Sequence, residues 1–216
     1  SAQLIDPLVI HGQATRAEAR ARAQAMLESV GIPEAAKRLD AYPHEFSGGM
    51  RQRVMIAMAL ACRPRLIVAD EPTTALDVMV QAQILDLMTG LVADLGVGMV
   101  LISHDLAVLA DVCDRVAVMY AGRVVETGPA SEVFGDAAHP YARALSRSFP
   151  RIGDTVSRYA PTGLAGDPPD PRELPTGCSF APRCPLVVDA CLAAEPPLRS
   201  VGPGRWAACV RAGETS

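Results

Sequence analysis

The stretch Phe46–Arg53, FSGGMRQR, decides how this chain folds. Ser47 is a residue type that caps helices, and Gly48-Gly49 follow it directly. A helix N-terminus exposes unpaired N–H groups and the positive end of the helix dipole. Glycines there let an anion such as a phosphate approach the backbone closely. A bare SGG would ordinarily be a capped helix after a turn. The residues downstream change that reading.

LIVADEP runs from Leu66 to Pro72, ALD from Ala75 to Asp77, and ISHD from Ile102 to Asp105. Leu66–Ala69 is a short apolar run that suits a strand buried on both faces. Asp70 and Glu71 end it, where ligands gather in open parallel sheets. A carboxylate there can hold Mg²⁺, and a neighbouring one can orient an attacking water. His104 follows a second apolar strand, Met99–Ile102. A neutral imidazole there can hydrogen-bond a phosphate or the attacking water. His11, His44 and His139 have no such setting and read as structural or exposed. Cys62 and Cys113 read as buried small hydrophobes.

The periodicity around these strings is clear. Thr15 and Glu18 have capping-box spacing, and Ala23, Met26, Leu27 and Val30 repeat at helical intervals, so a helix is expected from about Thr15 to Val30. Further helices are expected over 47–62, 80–95 and 106–112. Segments 115–120 and 123–126, split by Ala121-Gly122, read as a hairpin. Residues 139–145 read as helical, and 160–175 as a loop rich in Pro, Gly and Asp. Helices alternating with buried strands imply an α/β layered fold with a largely parallel sheet.

The 216 residues carry 20 basic and 24 acidic side chains, a net charge of −4, which argues against a partner bound by phosphate neutralisation, so no nucleic acid is expected. The longest apolar run identified, Val54–Cys62, is too short to cross a bilayer. No signal peptide is visible at the N-terminus.

Cys178, Cys184, Cys191 and Cys209 are spaced C-x5-C-x6-C-x17-C. This is neither the close pair of a zinc ribbon nor a ferredoxin run. It reads as a four-thiolate metal site, with unliganded cysteines in a loop-rich tail as the alternative.

In this order, FSGGMRQR, LIVADEP, ALD and ISHD resemble the signature sequence, Walker B strand with catalytic glutamate, D-loop and switch histidine of ABC-type ATPases. Met50 stands where many members have Gln. The resemblance implies α/β architecture: part of a P-loop NTPase core with a helical subdomain, over residues 1–134. It also implies a head-to-tail dimer with a second ATPase subunit. Ser47, Gly48, Gly49 and Gln52 would bind ATP, Asp70 would hold Mg²⁺, and Asp77 would couple the two sites. Glu71 and His104 would be catalytic. No GxxxxGK[ST] phosphate loop occurs among these residues. The chain is therefore expected to be a portion missing its N-terminal part, inactive alone, with the sheet's apolar edges exposed.

Residues 135–216, with HPYARAL from His139 and the four cysteines, resemble the loop-dominated C-terminal extension of dipeptide and oligopeptide importer ATPases. In that group the cysteines are associated with a [4Fe–4S] cluster; zinc is the alternative. The implied function is ATP-driven peptide import. Partners would be two membrane permeases and, indirectly, a solute-binding protein, with the subunit peripheral on the cytoplasmic face of the inner membrane. The alternative is a non-catalytic module that only completes a partner's ATP site through its signature helix.

Overall fold

The computed structural model describes residues 1–148, 164, 166–167, 169–170 and 172–212. The chain forms two compact units, Ser1–His104 and Asp105–Ser216.

The first unit opens with α1 (Ala2–Ile10), which the sequence reading did not anticipate. Pro7 lies inside it, and a helix-interior proline costs about 3 kcal/mol. Leu4, Ile5 and Leu8 are all buried. Each contributes about 1.5–3 kcal/mol, which outweighs the proline. In α2 (Arg16–Ser29) the capping box forms as expected: Thr15 accepts from Glu18 N, and Glu18 accepts from Thr15 N at 2.8 Å. Ala19, Ala23 and Leu27 line its buried face. A short α3 (Ala35–Arg38) follows.

Next come α4 (Gly48–Leu60), β1 (Leu66–Asp70), α5 (Val78–Leu95) and β2 (Gly98–Ile102). Each matches its expected segment closely. Gly96, at φ 63°, ends α5 in a left-handed conformation that glycine adopts without strain. By length and composition α5 is apolar enough to cross a membrane, which corrects the reading of Val54–Cys62 as the longest candidate. One face of α5 is committed to the core through Ile84, Leu85 and Met88.

β1 and β2 are parallel, with Leu66 opposite Gly98 and Asp70 opposite Ile102. The expectation of burial on both faces fails here. Ile67, Ala69, Met99 and Leu101 join the helical core. On the other face Leu66, Val68, Val100 and Ile102 are 55, 62, 47 and 47% exposed. The helices α4 and α5 cover one side only, so alternate residues remain in solvent.

The expectation of a largely parallel sheet is also corrected. In the second unit, after α6 (Leu106–Val112), strands β3 (Arg115–Tyr120) and β4 (Arg123–Pro129) form the expected hairpin. Ala121 and Gly122 both have positive φ, the requirement of a tight hairpin turn. Two strands absent from the sequence reading, β5 (Arg199–Gly202) and β6 (Arg205–Ala207), extend it in the order β3-β4-β6-β5, all antiparallel. Between β4 and β5 along the chain lie, among the described residues, α7 (Ala130–Gly135), α8 (Pro140–Ser148) and α9 (Asp189–Ala193). Seven of the sixteen residues of the expected 160–175 loop lie outside the described residues; the other nine form no helix or strand.

Glu126 is the centre of the second unit. It is fully buried and accepts from Ala138 N at 2.9 Å and His139 N at 2.7 Å. Arg205 donates to it through Nε at 3.2 Å and Nη2 at 2.9 Å. Arg205 Nη2 also donates to the Asp136 carbonyl. One carboxylate thus ties β4, β6 and the turn before α8 together.

Candidate functional site

At the carboxyl ends of the parallel strands the chain brings Asp70, Glu71 and His104 together. Asp70 is exposed at the last position of β1. Glu71 follows with φ 48°, a conformation rare for a residue with a side chain. Its N–H is held by the Ile102 carbonyl at 2.9 Å, which ties the turn to β2. Backbone strain of this kind clusters at functional sites.

The Glu71 carboxylate accepts from His104 N at 3.1 Å and faces His104 Nδ1 at 2.9 Å from both oxygens. An ionised carboxylate only accepts, so Nδ1 carries the proton. Thr74 Oγ1 donates to Oε2 at 2.9 Å. The His104 hydrogen bond, then that of Thr74, holds the carboxyl below its ordinary pKa of 4.5. The imidazole is 81% exposed and the carboxylate 35%, so the pair faces solvent and is open to a ligand. Thr74 was missed in the sequence; its only signal was its place three residues after Glu71.

Ser47 caps α4 as expected, accepting from Met50 N at 3.3 Å. Asp77 caps α5, accepting from Val80 N at 2.9 Å. The sequence reading starts α5 at Val80 and so leaves this cap out, although Asp is a favoured cap type. Gln52 and Asp70 border one cavity of about 150 Å³ beside α4, α5 and β1, otherwise lined mainly by apolar side chains. Arg53, two residues from Arg51 in the same string, turns inward instead. Its Nη1 donates to the Val30 carbonyl at 2.8 Å and so closes the end of α2.

In the second unit all four cysteines border a single cavity with His139 and Phe180. None forms a disulfide. Cys178 N donates to the Cys191 carbonyl at 2.7 Å, pinning two cysteine segments together. Cys184 follows a 3₁₀ turn at Ala181–Arg183. Cys209 lies two residues past β6. Burial raises the thiol pKa values of Cys178, Cys184 and Cys209, with their cysteine neighbours adding to it. Among the described residues, no three His, Cys, Asp or Glu side chains form a group able to hold a metal ion as they stand. His139 is buried, and burial pushes its pKa down to about 4. Its Nδ1 accepts from Tyr141 N at 3.1 Å. Cys62 and Cys113 are half-buried and pack against the apolar clusters of their own units.

Comparison with known proteins follows the same division. The ABC transporter family model matches residues 3–74. The model for the oligopeptide/dipeptide transporter C-terminal region matches residues 125–191. The oligopeptide transport ATP-binding protein OppD of Escherichia coli K12 is 50% identical over 212 residues, covering 97% of this chain and 61% of the relative. The dipeptide transport ATP-binding protein DppD of Escherichia coli K12 is 47% identical over 207 residues, covering 96% of this chain and 63% of the relative. The structure of cbiO1 from Clostridium perfringens, part of the ABC transporter complex cbiONQ, matches with a TM-score of 0.51 at 33% identity, over 57% of this chain and 48% of that one. The chain thus spans a little over 60% of the length of the curated relatives. With both family models matched in order and about half of its residues shared with these transport proteins, the chain belongs to the ABC transporter ATP-binding proteins that carry the oligopeptide/dipeptide transporter C-terminal region.

Proposed function

We propose that the protein to which this chain belongs binds and hydrolyses ATP to energise peptide import. The observation that carries this reading is the Glu71–His104 pair at the ends of the parallel strands. A water near the Glu71 carboxylate gives up its proton to that oxygen as its own oxygen attacks the γ-phosphorus. The bond from phosphorus to the bridging oxygen breaks, and ADP leaves. His104 positions the carboxylate through its Nδ1–H and its backbone N–H. Asp70 is the residue to hold Mg²⁺, which when bound would neutralise phosphate charge.

Ser47, Gly48, Gly49 and Gln52, at the start of α4, are assigned to ATP held by a second ATPase subunit in a head-to-tail dimer, and Asp77 to coupling between the two sites. Residues 1–134 form the nucleotide-binding portion and 135–216 the extension. The remaining partners are two permeases and, indirectly, a solute-binding protein. The subunit works at the cytoplasmic face of the inner membrane, peripherally. The named activities of the oligopeptide and dipeptide relatives support this reading.

The four cysteines are read as ligands of a [4Fe–4S] cluster, with zinc as the alternative. Four undisulfided thiols around one mainly apolar cavity suit either soft metal. When bound, the group would cross-link the four segments, and binding would release the thiol protons. Iron, zinc and acid-labile sulfide content after anaerobic purification tests this.

The experiment for the main reading is a calorimetric titration of the chain with Mg–ATP, alone and with an intact partner ATPase subunit. Tighter ATP retention by the partner, with no binding by the chain alone, is expected. That outcome also fits a module that serves only the partner's site. Hydrolysis at two sites once a phosphate-loop segment is restored separates the two. No effect in any arm overturns both.

A further inference from the structure

The first turn of α4 carries two glycines, one facing Leu76 just before α5 and one facing Val80 in the first turn of α5. A methyl group on Gly49 would lie 2.7 Å from Cγ1 of Val80, and one on Gly48 would lie 3.6 Å from Cδ2 of Leu76. Carbon atoms in contact sit about 3.5–4.0 Å apart, so only the Gly49 position is closed to a side chain.

Gly49 lies inside α4, outside the left-handed region that glycine alone favours. Alanine would suit that helical backbone better than glycine. Space, not conformation, therefore accounts for glycine here. Val80 cannot easily yield. It is β-branched within a helix, where one χ1 rotamer dominates. Its own N–H is held by the Asp77 cap at 2.9 Å.

We propose that Val80 is a positioning residue for the Ser47–Gly49 segment. Its methyl, seated on the bare backbone of Gly49, sets the distance between the starts of α4 and α5. It thereby fixes the segment assigned to a partner's ATP relative to Asp77. This rests on the reading of that segment given above. It adds a demand on Gly49 separate from any approach of a phosphate: the missing Cβ makes room for Val80.

A double-mutant cycle in the full 216-residue chain tests this. Melting temperature, amide exchange at Val80 and ATP retention by an intact partner subunit are read for wild type, G49A, V80A, V80T, G49A/V80A and G49A/V80T. G49A is expected to lower the melting temperature by several degrees and to speed exchange at Val80 at least tenfold. In the V80A background the sign reverses, and G49A/V80A melts above V80A, because alanine is then the better helix residue. V80T keeps the branched shape, so G49A/V80T stays as impaired as G49A. G49A/V80A is expected to regain at least threefold of the ATP retention lost in G49A. Equal destabilisation by G49A in both backgrounds overturns the contact. Thermal rescue without recovered retention, while wild type does support retention, overturns the positioning role and leaves Gly49 needed by the ligand itself. Wild type failing to support retention overturns the functional reading, and the thermal cycle still decides the contact.

Discussion

Both oxygens of the Glu71 carboxylate lie 2.9 Å from Nδ1 of His104, and the backbone N–H of His104 donates to one of them at 3.1 Å. The two residues are 33 positions apart and meet only because β1 and β2 are parallel neighbours in register. This pairing makes a titration prediction. Glu71 has a folded pKa below its ordinary value of 4.5, first through His104 and then Thr74. A depressed carboxyl contributes stability that is complete above its unfolded pKa and is lost as pH falls through the folded value. The pair's contribution should thus hold at neutral pH and fade below about pH 4.5. H104A should move the Glu71 carboxyl resonance midpoint up toward the unperturbed value in an NMR titration. An unmoved midpoint would mean that Thr74 and the backbone do the work.

Asp77 offers a way to separate stability from coupling. D77A removes the acceptor for Val80 N and should cost about 1 kcal/mol of unfolding free energy. D77S keeps a capping oxygen and should melt within a degree or two of wild type. If Asp77 couples two nucleotide sites, D77S should still weaken ATP retention by the partner subunit. Retention unchanged in D77S confines Asp77 to the cap.

The buried pair of Glu126 and Arg205 should be the most sensitive point of the second unit. Glu126 is fully buried, and the Arg205 side chain is 11% exposed. Removing one partner strands the other charge, at a cost of about 3–5 kcal/mol. E126A also orphans the N–H groups of Ala138 and His139. Urea unfolding followed by fluorescence of Trp206, the single tryptophan and a β6 residue, should show a midpoint shifted to much lower urea. A shift below 1 kcal/mol would contradict the pairing.

Gly177 should be indispensable to the cysteine cavity. A methyl there would sit 2.2 Å from the Cys191 carbonyl oxygen and 2.7 Å from the Leu192 carbonyl carbon, both backbone atoms. Neither can swing aside as a side chain could. G177A should separate the Cys178 and Cys191 segments and lower the melting temperature, and if the cysteines hold the proposed cluster it should abolish metal retention. G202A meets nothing within 4 Å and serves as the neutral control. Metal content equal in the two variants would sever Gly177 from the site.

Much of the first unit was legible in the sequence because its signals are local. The capping box at Thr15, the cap at Ser47 and the glycine stop at Gly96 each act within a few residues, and α2, α4 and α5 follow them. The hairpin at Ala121-Gly122 was readable for the same reason. Helix α1 was not, because Pro7 argues against it and only burial of Leu4, Ile5 and Leu8 overrides that. Strands β5 and β6 lie among prolines and cysteines, with too few alternating residues to stand out.

The order of motifs by itself pointed to the family and to the residues proposed to bear chemistry: a short string keeps its meaning wherever the chain goes. Tertiary structure alone decided which of them meet. It set Glu71 on His104, turned Arg53 inward to Val30, buried His139 beside the cysteine cavity and brought Gly49 against Val80. It also left one face of β1 and β2 bare. Alternation along a strand tells which residues share a face, but covering that face depends on elements distant in sequence.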